Sequence, residues 1–143
     1  FNTPIGAVRL VEEGGSIIRI EFTDAAASVA PTPLLREAEH QITAFLRGER
    51  RQLDFPIRMV GTPFQQRVWK SLQQIPYGAT RTYGEIATAI GNPRASRAVG
   101  MACNKNPLLL IVPCHRVVGA NGKLVGFAYG TEAKRWLLEL EVK

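Results

Sequence analysis

A cysteine, a histidine and an arginine stand together in the Pro-Cys-His-Arg run of residues 113–116. A thiol acts as a nucleophile only in its thiolate form, which a neighbouring base or cation favours. On an extended chain Cys114 and His115 would point to opposite faces, so a bridging water would have to carry the proton between them. The run therefore allows a reactive thiol, although a buried structural cysteine is the commoner role for a lone Cys.

The composition favours a compact protein with an anionic partner. The chain of 143 residues carries 18 Lys and Arg against 12 Asp and Glu, a formal net charge of +6. This balance points to nucleic acid, although many small basic proteins have no such partner. Two cysteines, with no leader sequence and no long apolar run, predict free thiols in the cytoplasm or at the nucleoid and no membrane partner. The Cys and His spacing predicts no metal site.

The first region of the chain, residues 1–58, is predicted to form a small domain of strands and one helix. Alternating apolar and charged residues predict two strands around a Glu-Gly-Gly turn. A Thr-Pro pair predicts the start of a helix, and a glycine predicts its end. The predicted elements are strands over residues 6–10 and 16–22, a helix between Thr32 and Gly48, and a connector over residues 49–59 that allows a short strand over residues 53–57.

The second region, residues 59–143, is predicted to be mainly helical, so the predicted fold class is α+β. Two of its helices begin with a threonine that can cap the first turn, and a third begins with an Asn-Pro pair. An apolar run predicts a buried strand or extended segment. The predicted helices begin at Thr62, Thr82 and Asn92 and end at Pro76, Gly91 and about Cys103; the apolar segment covers residues 108–112, and a last helix covers residues 132–141 with Ala133, Trp136, Leu137 and Leu140 inward.

Residues 82–103 have the layout of a helix-turn-helix, with two helices joined by a short Gly-Asn-Pro turn. One face of the second helix combines arginines with small residues, which suits close approach to a sugar-phosphate backbone. An ordinary pair of helices with solvated arginines would give the same pattern. This face comprises Arg94, Arg97, Ala98 and Met101.

A series of motifs resembles the O6-alkylguanine-DNA alkyltransferase family, in the family's order and spacing. The resemblance is continuous over residues 61–141 and looser over the first 60 residues, which lack the zinc-binding cysteines of some relatives. It implies DNA repair by transfer of an alkyl group from O6 of guanine to a cysteine. The matching segments are residues 61–69, 75–78, 82–87, 91–100, 104–107, 113–117 and 136–141.

The resemblance implies a role for each matching residue at the active site. Cys114 would accept the alkyl group, His115 would deprotonate it through a water, and Glu141 would orient and polarise His115. Tyr83 would donate a proton to N3 of the departing guanine. Asn106 would brace the turn beside the active site. The substrate pocket would include Val117, Phe127, Ala128 and Tyr129.

The resemblance also implies how DNA is bound. The damaged nucleotide would be flipped out of the duplex, and Arg97 would fill the space that it leaves. The second helix would lie in the narrow minor groove, where small residues are needed. Each molecule, expected to be a monomer without a cofactor, would react once with O6-alkylguanine, with O4-alkylthymine as a further candidate. The other implied DNA contacts are Ala95, Ala98, Gly100, Thr82 and Arg94.

The sequence departs from the family at residues 126–130, Gly-Phe-Ala-Tyr-Gly, where relatives usually carry Gly-Tyr-Ala-Gly-Gly. Tyr129 in place of a glycine predicts a narrower pocket and a slower reaction with bulky adducts, unless its side chain points outward. Two rival functions stay open: a lesion-binding relative that does not repair, and a Cys-His hydrolase with a small substrate. Cys103 is predicted to be a structural thiol and His40 a surface residue.

Overall fold

The computed structural model describes residues 1–24, 31–123 and 130–143. These residues contain both strands and helices, and the predicted α+β class is confirmed. None of the described helices is long and apolar enough to cross a membrane. The predicted domain division at residue 58 stays a prediction. The described chain forms two compact units, Phe1–Val60 with Pro107–Leu109, and Gly61–Asn106 with Leu110–Lys143.

The first unit contains an antiparallel sheet in the order β1-β2-β3. Its strands are β1 (Asn2–Thr3), β2 (Gly6–Glu13) and β3 (Ser16–Phe22). β2 runs three residues beyond its predicted end because its pairing with β3 continues to Glu13, opposite Ser16. Gly14 and Gly15 then turn the chain with φ angles of +60° and +81°, a region that favours glycine.

Helix α1 (Pro33–Leu46) begins where the sequence predicts, with the Thr32 hydroxyl accepting a hydrogen bond from the Leu35 N–H at 3.1 Å. Its apolar face packs against β2 and β3. The predicted connector over residues 49–59 contains no strand at residues 53–57, where one isolated bridge forms between Ile57 and Ile17. The buried residues of this unit include Val8, Ile17, Ile20, Ala38, Ile42 and Phe45.

The predicted buried segment over residues 108–112 is buried but is not a strand. Leu108 makes a single bridge to Ile20, and the Leu109 N–H donates to the Ile20 carbonyl at 3.0 Å. The chain then turns, with Leu110 at a φ angle of +74°. Such a turn cannot continue a ladder of strand hydrogen bonds, so apolar composition alone misassigned this segment.

The second unit is mainly helical, and threonine caps set the start of two of its helices. Thr62 forms the predicted capping box with Gln65, and Thr82, predicted to open the next helix, forms a second capping box with Glu85. Two short strands pair in parallel, and the first helix of the unit contacts the second and the third. The elements are α2 (Pro63–Leu72), β4 (Arg81–Thr82), α3 (Tyr83–Ala89), α4 (Ser96–Asn104), β5 (Val117–Val118) and α5 (Thr131–Glu141).

Helices α3 and α4 pack together as the predicted helix-turn-helix, but α4 begins later than predicted. Asn92 does not cap α4: its N–H donates to the Ala87 carbonyl, and its own carbonyl accepts from Ala95. These bonds form a turn, so the helix starts at Ser96 without a side-chain cap. Helix α2 also ends earlier than predicted, because the Ile75 N–H bonds the Leu72 carbonyl three residues back.

Candidate active site

Cys114 begins a single 3₁₀ turn, Cys114–Arg116, rather than continuing an extended strand. The Cys114 N–H donates to the Val112 carbonyl at 2.8 Å, and the Arg116 N–H donates to the Pro113 carbonyl at 2.9 Å. The expectation that neighbouring side chains alternate between two faces therefore does not apply. All three side chains of the turn are buried.

Asn106 connects the end of α4 to this turn. Its Nδ2 atom donates to the Val112 carbonyl at 2.8 Å and to Cys114 Sγ at 3.2 Å. Burial raises the pKa of the Cys114 thiol to about 11, although the Asn106 bond and the charge of Lys134 oppose that rise. The resting group is therefore a thiol at neutral pH, and its activation needs a base.

His115 and Glu141 form a buried pair, with 2.6 Å between Nε2 and Oε2. Burial alone would raise the pKa of Glu141, but hydrogen bonds from His115 and Arg116 lower it to about 2. Burial lowers the pKa of His115, so its ring is neutral. Because an ionised carboxylate can only accept, the ring proton lies on Nε2 and the lone pair on Nδ1.

The Nδ1 atom of His115 is the one buried side-chain nitrogen or oxygen without a hydrogen-bond partner in the described part of the chain. Buried polar atoms are nearly always paired, and exceptions often mark a working site. An imidazole whose Nε2–H is held by a carboxylate and whose Nδ1 is free has the arrangement of a general base.

Arg116 is a member of the site to which the sequence assigned no role. Its Nε and Nη2 atoms donate to the two Glu141 oxygens at 2.8 and 3.0 Å, and its Nη1 atom donates to the Ile75 carbonyl at 2.9 Å. Its guanidinium lies 5.6 Å from the centre of the Tyr77 ring. Such a bidentate interaction orients the carboxylate and favours its ionised form.

Gly78 closes the other side of the Glu141 carboxylate. Its N–H donates to Oε1 at 3.1 Å. The φ angle of Gly78 is +82°, and a Cβ there would lie 3.2 Å from the Glu141 carbonyl oxygen. The positive φ angle therefore favours glycine, and a side chain here would also crowd the Glu141 carbonyl oxygen.

Tyr83, the first residue of α3, lies half-buried between α4 and α5. A Cβ on Gly100 would lie 3.8 Å from its ring, and the Lys134 Nζ atom lies 5.9 Å from the ring centre. Burial, together with negative charge at Cys103 and Cys114, raises the pKa of Tyr83 to about 12. The phenol is thus a proton donor at neutral pH.

Lys134 is fully buried, although its charge alone predicts a surface position. Burial lowers its pKa, and the two thiols oppose that change. Its spacing from Leu137 and Glu141, three and then four residues, places all three on one face of α5 and was the available signal. Of the residues predicted to face inward, Leu137 is buried, whereas Ala133, Trp136 and Leu140 are only partly covered.

The predicted DNA-contacting face lies on α4 and the turn before it. Arg94, Arg97 and Met101 are exposed. The small residues Ala95, Ala98 and Gly100 are partly exposed, and Thr82 caps α3. Cys103 is buried and His40 is exposed on α1, as predicted.

The predicted pocket residues are only partly described by the structure. Val117 is buried in β5 opposite Arg81. Phe127, Ala128 and Tyr129 lie outside the described residues.

The positive charge of the chain belongs entirely to the second unit. That unit carries eleven Lys and Arg against four Asp and Glu, whereas the first carries seven against eight. A polyanion would therefore be attracted to the unit that contains Cys114.

Comparisons with known proteins identify the family of the chain. The family described as 6-O-methylguanine DNA methyltransferase, DNA binding domain, matches residues 63–143. A methylated-DNA–protein-cysteine methyltransferase from Methanosarcina acetivorans is 49% identical over 99% of this chain and 95% of its own length.

Solved structures give the same result. The O6-methylguanine methyltransferase of Mycobacterium tuberculosis is 45% identical, with a TM-score of 0.88 over 99% of this chain and 89% of that one. The complex of Mycobacterium tuberculosis OGT with DNA is 46% identical, with a TM-score of 0.89 and the same coverage. The chain therefore belongs to the methylated-DNA–protein-cysteine methyltransferase family.

Proposed function

We propose that this chain repairs O6-alkylguanine in double-stranded DNA by moving the alkyl group to Cys114, once per molecule. The observation that carries the proposal is the arrangement around the thiol. Asn106 donates to Cys114 Sγ, and the neighbouring His115 is held by Glu141 with its other nitrogen free. This arrangement activates a thiol that is otherwise protonated.

The thiol proton would leave through His115. The free Nδ1 lone pair is the acceptor, and a water would connect it to Sγ. Glu141 stabilises the imidazolium that forms, while Arg116 keeps Glu141 ionised. Asn106 stabilises the thiolate through its hydrogen bond to Sγ.

The thiolate then attacks the alkyl carbon. A carbon–sulfur bond forms, the bond from carbon to guanine O6 breaks, and its electron pair stays on the guanine. Tyr83 supplies a proton to N3 of that leaving base. The proton that His115 took from Cys114 replaces the one that Tyr83 lost. The thioether product has no described neighbour able to remove the alkyl group, so each molecule reacts once.

The target carbon lies inside a duplex, so the nucleotide has to be flipped out. We propose that α4 lies in the minor groove, where Ala98 and Gly100 allow close approach and Arg97 fills the space in the stack. The charge of the second unit supports this arrangement. The protein would act as a monomer in the cytoplasm or at the nucleoid, and O4-alkylthymine is a second candidate substrate.

Intact-mass analysis after incubation with a duplex containing O6-methylguanine tests the proposal. We expect one added methyl group on Cys114 and no turnover beyond one equivalent. Cys103→Ser is the matched control, because it removes the other buried thiol and should still be methylated. Methylation of a Cys114→Ser variant would refute the assignment.

The same experiment separates the two rivals. A lesion-binding relative would retain the duplex without gaining mass. A Cys-His hydrolase would leave the O6-methylguanine intact and would not bind the duplex. The presence of Cys114 and the exposed arginines of α4 favour repair over both.

A further inference from the structure

Trp69 is a buried residue of α2 with one polar atom, and that atom contacts α4. Its indole Nε1–H donates to the Ala102 carbonyl at 2.9 Å. Both residues are almost completely buried. A buried indole N–H normally has a hydrogen-bond acceptor. Here that acceptor is a backbone carbonyl in the last turn of a neighbouring helix.

The Ala102 carbonyl lies where α4 ends, and its backbone donor there is the Lys105 N–H at 3.2 Å, which the Met101 carbonyl shares at 3.1 Å. In a continuing helix the Ala102 carbonyl would accept the Asn106 N–H, four residues on. Here the Asn106 N–H donates instead to the Cys103 carbonyl at 3.2 Å, and the chain leaves the helix after Asn104. The Trp69 indole supplies a second donor to the Ala102 carbonyl, at 2.9 Å, beside the shared Lys105 N–H.

The position at which α4 ends decides where the Asn106 side chain points. Released from the helix, Asn106 donates to the Val112 carbonyl and to Cys114 Sγ. A further helical turn would rotate its Cβ by about 100° per residue and carry the amide away from the thiol. The Trp69 indole bond at the end of α4 and the two Asn106 side-chain bonds therefore link α2, through the end of α4, to Cys114.

Gly61 lies beside the six-membered ring of Trp69. A Cβ at Gly61 would lie 2.5 Å from the Cη2 atom and 2.6 Å from the Cζ3 atom of Trp69, closer than real contacts allow. The ring edge thus occupies the space that a side chain at residue 61 would need, and such a side chain would displace the indole.

We propose that Trp69 is a positioning residue for alkyl transfer: its indole bond to Ala102 ends α4 where Asn106 can donate to Cys114. The inference rests on the proposed function for its meaning in repair. It concerns an interaction that can also be measured without DNA.

Trp69→Phe removes the indole N–H and keeps a ring. We expect the single-turnover rate of methyl transfer to fall about fivefold, the effect of one ordinary hydrogen bond. Val68→Ala is the matched control, because it removes buried volume from the same helix without touching the indole bond. Its effect on the rate should be less than about twofold.

Iodoacetamide labelling of Cys114 gives a readout that does not depend on repair. The thiolate fraction should fall about fivefold in Trp69→Phe at pH 8, and the difference should shrink as the pH rises and all thiol ionises. Cleavage after Lys105 separates the peptides of Cys103 and Cys114, so the two thiols are counted independently.

A double-mutant cycle distinguishes positioning from general weakening. If Trp69 acts through Asn106, Trp69→Phe causes no further loss in an Asn106→Ala background. Gly61→Ala keeps the indole but displaces it, and it should cause the same fall in Cys114 labelling as Trp69→Phe. This variant replaces Trp69→Phe in the test if Trp69→Phe does not fold.

Equal effects of Trp69→Phe and Val68→Ala, or a loss that persists in the Asn106→Ala background, would overturn the proposal. A wild-type protein that is not methylated by the damaged duplex but shows the labelling pattern would instead refute the proposed function alone.

Discussion

The Nε2 atom of His115 lies 2.6 Å from the Oε2 atom of Glu141, and neither side chain reaches solvent. The same carboxylate accepts two bonds from Arg116 and one from the Gly78 N–H. With Glu141 negative, Arg116 positive and His115 neutral, the cluster is neutral overall. This balance reduces the cost of burying it and leaves His115 able to take one proton.

Glu141→Gln should lower the free energy of unfolding at neutral pH by about 3 kcal/mol, because it leaves Arg116 buried without its charge partner. The dependence of the free energy of unfolding on pH should change as well. The pKa of Glu141 is about 2 in the folded chain against an ordinary 4.5, so the wild type loses this stability as pH falls from 4.5 towards 2. Urea unfolding across that range should show a flatter profile for Glu141→Gln. Glu139→Gln, exposed on the same helix, should leave the profile unchanged.

Arg116→Lys keeps the positive charge but cannot bond both carboxylate oxygens in the same plane. Glu141 would then be less firmly held, and we expect methyl transfer to slow about tenfold with a loss of about 2 kcal/mol in stability. Single-turnover kinetics and urea unfolding measure the two effects. Arg135→Lys makes the same change at an exposed position of α5, and an equal effect there would contradict the prediction.

Lys134→Met removes a buried ammonium whose charge opposes the rise in the Cys114 pKa. Methyl transfer at pH 7 should slow about tenfold, and the loss should diminish at higher pH. Urea unfolding of the same variant measures whether the packing of α5 is kept. Lys70→Met on the exposed side of α2 controls for the change in net charge. A slow variant that is also clearly less stable would show that Lys134 acts through packing.

Arg97→Ala should slow repair of duplex DNA about tenfold or more, because the flipped state loses the group that fills the stack. Arg67→Ala removes one exposed positive charge from α2 and is the matched control. Both variants should reduce the dependence of binding on salt concentration, but only Arg97→Ala should slow the reaction at saturating DNA. Equal rates in the two variants would argue against a role for Arg97 in flipping.

Tyr129→Gly should raise the rate with O6-benzylguanine relative to O6-methylguanine about tenfold, if the tyrosine narrows the pocket. Tyr129 lies outside the described residues, so this prediction depends on the sequence alone. Phe127→Tyr, which restores the family's hydroxyl without removing bulk, should leave the ratio unchanged. An unchanged ratio in Tyr129→Gly would show that the tyrosine points away from the pocket.

Helix starts were predictable where the cap is local. Thr32, Thr62 and Thr82 each bond an N–H three residues ahead, an interaction that neighbouring residues complete by themselves. The start of α4 was not predictable in this way, because Asn92 bonds back to Ala87 rather than forward. The apolar segment after α4 was misassigned because burial and strand pairing leave the same composition.

The sequence by itself indicated Cys114 as the candidate nucleophile beside His115, and it determined the caps of three helices and the family. Only the tertiary structure decided which nitrogen of His115 is free, since that depends on a carboxylate 26 residues away. It also decided that Arg116 and Lys134 belong to the site. Sequence patterns record which side chains a local segment can bury, whereas the partner that makes a buried charge tolerable comes from another segment and becomes visible only when the chain has folded.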